Sequence, residues 1–356
     1  MKNRWRVFRV EEFERFAGAW DALARASVRT PLLSRHFIDP LLKYFGTRQE
    51  RLAVFGNSAQ PQAMALLTRA GIGAWQTFQP SQAPIGLWVQ DPSCRFDALA
   101  RALLRDLPGV SLAIGVTQQD PDLIAPPATN GRVQVLDYIQ TARVPVLESF
   151  ERYWAARGKN LRHNMKRQRS KLAESGITAR LEALTAPDRV PEALRDFARL
   201  ESAGWKAEGG TAVRPDNAQG KFYRALMENF CRAGAGRIYR YWYGDRVVAV
   251  ELCIEDEHTL IVLKTAYDET VQSSSPAFLM KQEYFKQIFD EGRIKRIEFY
   301  GRLMDWHTKW TDQVRTLYHV NYYRWAALPR IRQLLSRTIS PPPSAARAAA
   351  LEAASD

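Results

Sequence analysis

The stretch Gln272-Ser273-Ser274-Ser275-Pro276-Ala277-Phe278-Leu279 decides the fold. Proline suits the first position of a helix and serine the residue before it, so the stretch predicts a helix that starts at Pro276, is capped by Ser275 and runs to Glu291. Three apolar runs lie just upstream. Ile238 to Tyr243 turns at Gly244 and Asp245 into Arg246 to Ile254, which turns at the acidic stretch Glu255 to Glu257 into Thr259 to Tyr267. Runs joined this tightly predict a β-meander. The first amides of a helix lack intrahelical partners and carry positive partial charge, so a helix that begins where a meander ends is placed to hold an anion.

Upstream of the meander the pattern predicts a basic helix from Phe150 to Glu174, a short strand at Ile177 to Glu182, and helices at Glu192 to Ala203 and Asn217 to Ala233. Downstream it predicts the strand Arg296 to Tyr300, a helical turn near Trp306, and a last strand Thr316 to Tyr323. The first half repeats part of this order. Glu11 to Phe45 reads as two helices, with Phe13, Phe16, Trp20 and Leu23 at helical spacing and Ser34 placed to cap the second. Strands Arg51 to Phe55 and Ala63 to Thr68 follow, then a helix Phe96 to Leu107, a strand Val110 to Val116, and a proline-bearing loop from Gln119 to Thr129.

A chain of 356 residues, 46% hydrophobic and 11% aromatic, exceeds what one core usually serves. Two related domains are therefore expected, over 1–146 and 147–330, with 331–356 a flexible tail that is rich in alanine and proline. Lysine and arginine total 51 against 38 acids; the +13 balance favours an anionic partner such as a phosphate-bearing cofactor, a membrane surface or a nucleic acid. Cys94, Cys231 and Cys253 are far apart and lack metal-ligand spacing, so no metal site and no disulfide framework is expected. No apolar core follows the first basic residues, and no run approaches the roughly 18 apolar residues of a spanning helix. The expectation is a cytoplasmic protein, with room for peripheral contact to the inner membrane.

The order strand, two helices, three-strand meander, helix, strand, helix, strand resembles a Gcn5-related N-acetyltransferase (GNAT) domain. The signature of that family is Gln or Arg, two residues, Gly, one residue, then Gly or Ala; Gln272, Ser275 and Ala277 match it, with Ser in place of the first Gly. The chain further resembles the CelD/BcsL acetyltransferases, associated with cellulose and exopolysaccharide biosynthesis. The likeness rests on Thr30 to Gly46, Lys159 to Lys171, Glu201 to Ala212, Lys264 to Asp268, Ser275 with Pro276 and Leu279, and Trp310 to Asp312. Many of those proteins carry Pro-Gly at Pro276-Ala277 and Tyr-Lys at Trp306-His307. The family looks like a tandem of GNAT-like domains, similar in build to Fem-type transferases, which use aminoacyl-tRNA.

The resemblance implies an α+β fold of tandem GNAT-like domains with mixed, mostly antiparallel sheets flanked by helices. It implies acetyl-coenzyme A as acyl donor, held by Gln272, Ser273, Ser274, Ser275, Ala277 and Phe278, and a sugar-linked or cell-envelope acceptor. Nucleic acid is the less favoured partner.

Transfer from a thioester needs a base for the acceptor's proton and no enzyme nucleophile. Glu251 lies among Val247, Ala249 and Cys253 on a strand and is a candidate base; Lys264, on the next strand, is its expected ion-pair partner and otherwise a substrate contact. His307 titrates near neutrality, with Tyr300 as candidate acid and Asp305 able to orient it; a core or surface histidine is the plainer reading. Trp205 and Lys206, in a glycine-rich loop, suit a sugar or anionic acceptor, or else anchor that loop. Arg162, Lys166 and Arg169 share one face of the basic helix, opposite Leu161, Met165 and Leu172, and suit an anion or form a solvated face. An aminoacyl-tRNA-dependent transferase and a non-catalytic subunit that docks an anionic membrane remain the alternatives.

Overall fold

Alternation of apolar and polar residues along short runs, interrupted by helices with one apolar face, builds a single mixed sheet covered on both sides. The computed structural model describes residues 4–203 and 213–329. The first half contributes β1 (Trp5–Arg9), α1 (Phe13–Ser27), α2 (Arg35–Phe45), β2 (Arg51–Gly56), β3 (Pro61–Gly71), β4 (Ala74–Thr77), β5 (Trp88–Gln90), α3 (Phe96–Asp106), β6 (Ala113–Gln119) and β7 (Val133–Pro145). The second contributes α4 (Phe150–Ala155), α5 (Lys159–Glu174), β8 (Ala179–Leu184), α6 (Val190–Ala203), α7 (Ala218–Arg232) and β9 (Gly236–Tyr243). It continues with β10 (Arg246–Glu255), β11 (Thr259–Tyr267), α8 (Pro276–Glu291), β12 (Arg296–Phe299), α9 (Asp305–Thr308) and β13 (Val314–Tyr323).

The strand order is β1-β2-β3-β4-β6-β13-β7-β12-β11-β10-β9-β8, with β5 paired to β3. β7 and β13 cross between the halves. The end of β7 pairs antiparallel with β12, its longer first part pairs with β13, and the end of β13 pairs with β6 of the first half. The strand expected to close the second unit thus lies beside β6 as well.

On one face α1, α2, α6 and α7 share a core that runs through both halves, with Phe222 of α7 against Phe37 and Phe45 of α2 at ring separations of 6.0 and 5.3 Å. On the other face α4, α5 and α8 cover the second half, and α3 covers the first. Burying aromatic side chains of this size is the main favourable term that holds such layers together.

The meander is present as predicted, as β9 to β11, and α8 starts at Pro276. Four strands, β1, β4, β5 and β7, were not foreseen. The expected helix Phe150 to Glu174 breaks between Ala155 and Lys159, where Gly158 leaves helical geometry. Ser34 stands at the start of α2, but its hydroxyl donates to Pro31 O at 2.8 Å and does not cap the helix. Trp205, Lys206 and the expected tail 331–356 lie outside the described residues.

Candidate active site

β11 and β12 run parallel and pair only from Thr259–Arg296 to Val262–Phe299, after which β11 continues to Tyr267 without β12. Beside that parting, the β10–β11 register slips: Leu252 faces Lys264 and Cys253 faces Val262, so Leu263 bulges out of the ladder. A parallel pair that opens next to a bulge leaves backbone polar groups available to a ligand, which is where such irregularities concentrate.

The helix after β11 opens onto a cavity of about 690 Å³, a size that suits a cofactor. Ser275 and Phe278 of the α8 mouth line it, together with Arg157, Asn160 and Asn164 from the α4–α5 region, Thr308 at the end of α9, and Lys309 and Asp312 just beyond it. The mouth of α8 is less open than the sequence suggests. Pro276 has no N–H, while the amides of Ser275, Phe278 and Leu279 already donate to Gln272 O and Ser275 O; Ala277 N–H alone in that turn meets no backbone carbonyl. Ser275 takes a left-handed conformation (φ 55°) and makes no side-chain cap. Ser274 is bound to Tyr243 at 2.9 Å, and Gln272, Ser273, Ser274 and Ala277 are in the turn but outside the cavity lining.

The freer helix start belongs to α5, whose first turn also opens onto the cavity. There the first amide to find a backbone acceptor is Arg162 N, on Gly158 O at 3.2 Å. Two helix N-termini therefore point their positive ends at one cavity. Arg157 stands between them, with Nη1 on Trp310 O at 2.7 Å and its guanidinium over the Tyr153 ring, and Lys309 projects over Phe278. Two cations, two carboxamides and two helix mouths against one acid, Asp312, suit a diphosphate.

α9 ties this cavity to a buried polar cluster. Thr308 and Lys309 face the cavity, whereas Trp306 and His307, stacked at 3.6 Å, pack on Phe299. Beneath Trp306 and Phe299 lies the ammonium of Lys281, at 5.3 and 5.9 Å from the two rings. Lys281 is 2% exposed and ion-paired with Glu251, which is fully buried. The Thr265 hydroxyl donates to the same Glu251 oxygen, Oε1, and Oε2 is left without a hydrogen-bond partner, as is the Tyr284 hydroxyl nearby.

Glu251 thus has an ion-pair partner, but Lys264 is not that partner. The bulge at Leu263 sets Lys264 on the other face, where Nζ donates to Glu201 at 2.9 Å and sits over the Tyr223 ring. Lys264 does not line the cavity at the α5 and α8 mouths, and its contacts are to Glu201 of α6 and Tyr223 of α7. Burial first, and then the nearby Lys281 charge, depress the His307 imidazole to about 4. It is neutral near pH 7, and its Nδ1 accepts from Met304 N, so the nitrogen with a lone pair is already used.

Tyr300 faces the opposite side of the sheet. Its hydroxyl donates to Asp120 at 2.8 Å, and burial raises its pKa well above the ordinary range of a tyrosine. Asp120 is held in turn by Arg315, which also lies 2.8 Å from Glu298 in a charge contact not aligned as a hydrogen bond. This network joins β12 and β13 to the loop after β6. Arg162 and Lys166 are exposed on α5, whereas Arg169 is drawn into an ion pair with Glu283 of α8.

Residues 159–308 match the acetyltransferase (GNAT) domain family. The match spans α5 to α9, and so includes the meander, α8 and the buried cluster. Among solved structures the whole chain is similar to FemX, at 10% identity and a TM-score of 0.58, covering 94% of this chain and 99% of that one. It is similar also to the C-terminal domain (DUF2156) of a protein described as a lysylphosphatidylglycerol synthetase from Agrobacterium fabrum. That pair shares 12% identity at a TM-score of 0.53, with 91% of this chain and 97% of that one covered. L-PGS from Bacillus licheniformis aligns at 13% identity and a TM-score of 0.50, over 91% and 97%. At these identities the likeness establishes the GNAT fold alone. No curated protein sequence matches the chain.

Sequence reasoning missed Lys281, although it was visible as the one charge at an apolar position of the series Lys281, Tyr284, Phe285, Ile288. It missed the α5 mouth because the break at Gly158 was read through, and it missed Arg315 and Asp120 because they are 195 residues apart. Among the described residues no group of His, Cys, Asp and Glu is placed to hold a metal, and no helix is long and apolar enough to cross a membrane.

Proposed function

We propose that the protein is an acyl-coenzyme A-dependent acyltransferase that moves an acetyl or other acyl group to an amine or hydroxyl of a sugar-linked or cell-envelope acceptor. The observation that carries this reading is the cavity at the converging mouths of α5 and α8, with Arg157 and Lys309 on its walls. Its chemistry fits the diphosphate of coenzyme A: the amides of the α5 start, Ala277 N–H and the two cations would hold it. Bound there, the cofactor supplies an activated thioester. That thioester would be open to attack by the acceptor nitrogen or oxygen with the coenzyme thiol as leaving group, and the part left to this chain would be to take the acceptor's proton.

For the base we keep Glu251, whose Oε2 has no hydrogen bond, and assign positioning roles to His307 and Tyr300, whose polar atoms are committed to Met304 and Asp120. Gln272, Ser273 and Ser274 shape the turn that presents Ser275, Ala277 and Phe278. Arg162 and Lys166 extend the positive surface towards the acceptor, and Trp205 and Lys206, which lie outside the described residues, belong to the proposal as further acceptor contacts. The division at 146, the acetyl donor and a role in exopolysaccharide biosynthesis of the CelD/BcsL kind belong to the same proposal.

Calorimetry with acetyl-coenzyme A tests it. Micromolar binding that weakens about tenfold or more in Lys309→Glu supports the reading, since one charge-assisted phosphate bond is worth roughly 1.5 to 3 kcal/mol. No binding at high micromolar ligand, or binding untouched by Ser275→Asp, defeats it. A second reading, transfer from aminoacyl-tRNA, is favoured by the exposed cations Arg162, Lys166, Arg167 and Lys171 on α5. Steeply salt-dependent retention of charged tRNA with indifference to coenzyme A would select it.

A further inference from the structure

Large apolar side chains stand bare at one end of the first half. Ile72, at the β3–β4 turn, is fully exposed; Val110, in the loop before β6, is 73% exposed; Trp325, just past β13, is 55% exposed. Backbone bonds hold these three segments together. Leu112 N donates to Gly73 O at 2.6 Å, Arg324 N donates to Leu112 O at 2.8 Å, and the Arg324 guanidinium holds Ser111 O at 2.9 Å.

The cations around this tip outnumber its acids. Arg69 lies over Trp75 with its guanidinium 3.8 Å from where a Cβ on Gly109 would sit, and Arg132 accepts Tyr323 N through its carbonyl. No Asp or Glu occurs in 68–75, 107–113, 130–134 or 314–329, and the nearest acid, Asp106, accepts from Trp5 N at 2.9 Å. The chain leaves this end at Pro329 and continues for 22 further residues without an acid, through Arg330, Arg332 and Arg337, until Glu352.

We infer that this tip docks the protein onto an anionic lipid bilayer, with Ile72, Val110 and Trp325 entering the headgroup boundary and Arg69, Arg132 and Arg324 facing lipid phosphates. A soluble surface gains nothing from an exposed indole and two exposed aliphatic side chains on three segments bonded to one another. At a membrane boundary an indole is favoured for its apolar body and polar edge, and each cation near an anionic leaflet adds about fivefold to binding. None of these residues lines the cavity at α5 and α8. The inference therefore stands apart from the acyltransferase proposal, and differs in place from a membrane contact made by the α5 cations.

Co-sedimentation of the full chain with vesicles tests it, using equal phosphatidylglycerol and phosphatidylcholine in one arm and phosphatidylcholine alone in the other. The expected result is binding to the anionic vesicles, weakened about tenfold or more in the triple variant Ile72→Ser, Val110→Ser, Trp325→Ser and about fivefold in Arg324→Gln. The variant Lys166→Glu with Lys171→Glu should leave it within about twofold. All substituted tip residues but Arg324 are exposed, and far-ultraviolet circular dichroism checks that each variant is folded. Absence of vesicle binding, binding unmoved by the triple variant, or loss confined to the α5 variant overturns the proposal. So does a concentration-dependent dimer in sedimentation velocity that the triple variant abolishes without any vesicle binding, because the tip would then be a protein interface.

Discussion

Replacing Lys281 by methionine removes one charge of the most deeply buried ion pair in the described chain and keeps the side-chain length. The lysine side chain is 3% exposed and that of Glu251 not at all. After Lys281→Met the Thr265 hydroxyl is the one donor left to Glu251 Oε1, and Oε2 still has none. Stranding a buried charge in this way costs about 3 to 5 kcal/mol, a large part of the roughly 5 to 15 kcal/mol by which a domain is stable. Removing both charges should recover most of that loss: Glu251→Leu with Lys281→Met leaves a site walled by Phe299, Trp306 and Tyr284, with only the Thr265 hydroxyl deprived, at about 1 kcal/mol. Urea unfolding at pH 7 of parent, both single variants and the double variant, followed by circular dichroism, gives the coupling directly. The double variant is expected to be about 2 to 4 kcal/mol more stable than Lys281→Met alone. If Lys281→Met lies within about 1 kcal/mol of the parent, or the single effects simply add, the pair is not buried as described and the case for a constrained Glu251 fails with it.

Two further outcomes follow from the site. The His307 imidazole is held at about 4, below the roughly 6.5 of an unfolded chain, so between those values the unfolded chain takes up a proton that the folded one refuses. Stability should be fully present above about pH 6.5 and fall as the pH drops towards 4, by at most about 1.4 kcal/mol per unit, with that component absent in His307→Phe; equal urea midpoints for the parent at pH 7 and pH 5 would speak against it. Ser275, at φ 55°, holds a conformation that costs a side-chain residue roughly 1 to 2 kcal/mol and glycine nothing. Ser275→Gly should raise stability by up to about 1 kcal/mol after the added freedom of the unfolded chain is subtracted, read as a rise in Tm; a fall would mean that the serine hydroxyl makes a contact of its own.

What the sequence disclosed was local. The turn pairs Gly244-Asp245 and Ser275-Pro276 located the meander and the start of α8, because their backbone preferences act within a few residues. Glu251 could be seen to sit in an apolar strand. Its partner could not, since one bulged residue at Leu263 turned Lys264 to the other face and a helix thirty positions away in sequence supplied Lys281 instead. The same limit hid β7, whose exposed Leu136 and Tyr138 break the alternation expected of a half-buried strand. The break at Gly158 was equally silent, and with it the open amides of α5, because a single glycine in a basic run reads as a tolerated helix residue until its neighbours are seen to change direction.

The exchange of β7 and β13 has a consequence for how the molecule can be handled. A fragment ending at residue 146 would keep β7 but lose both of its neighbours, β12 and β13, while β6 would lose β13. The complementary fragment would present the bare sides of β12 and β13. Each piece would display unpaired backbone of the kind that recruits other chains, so the two are expected to precipitate when made singly and to dissolve when co-expressed. Splitting the gene at this point therefore offers a complementation reporter, in which recovery of soluble protein measures the re-knitting of the sheet.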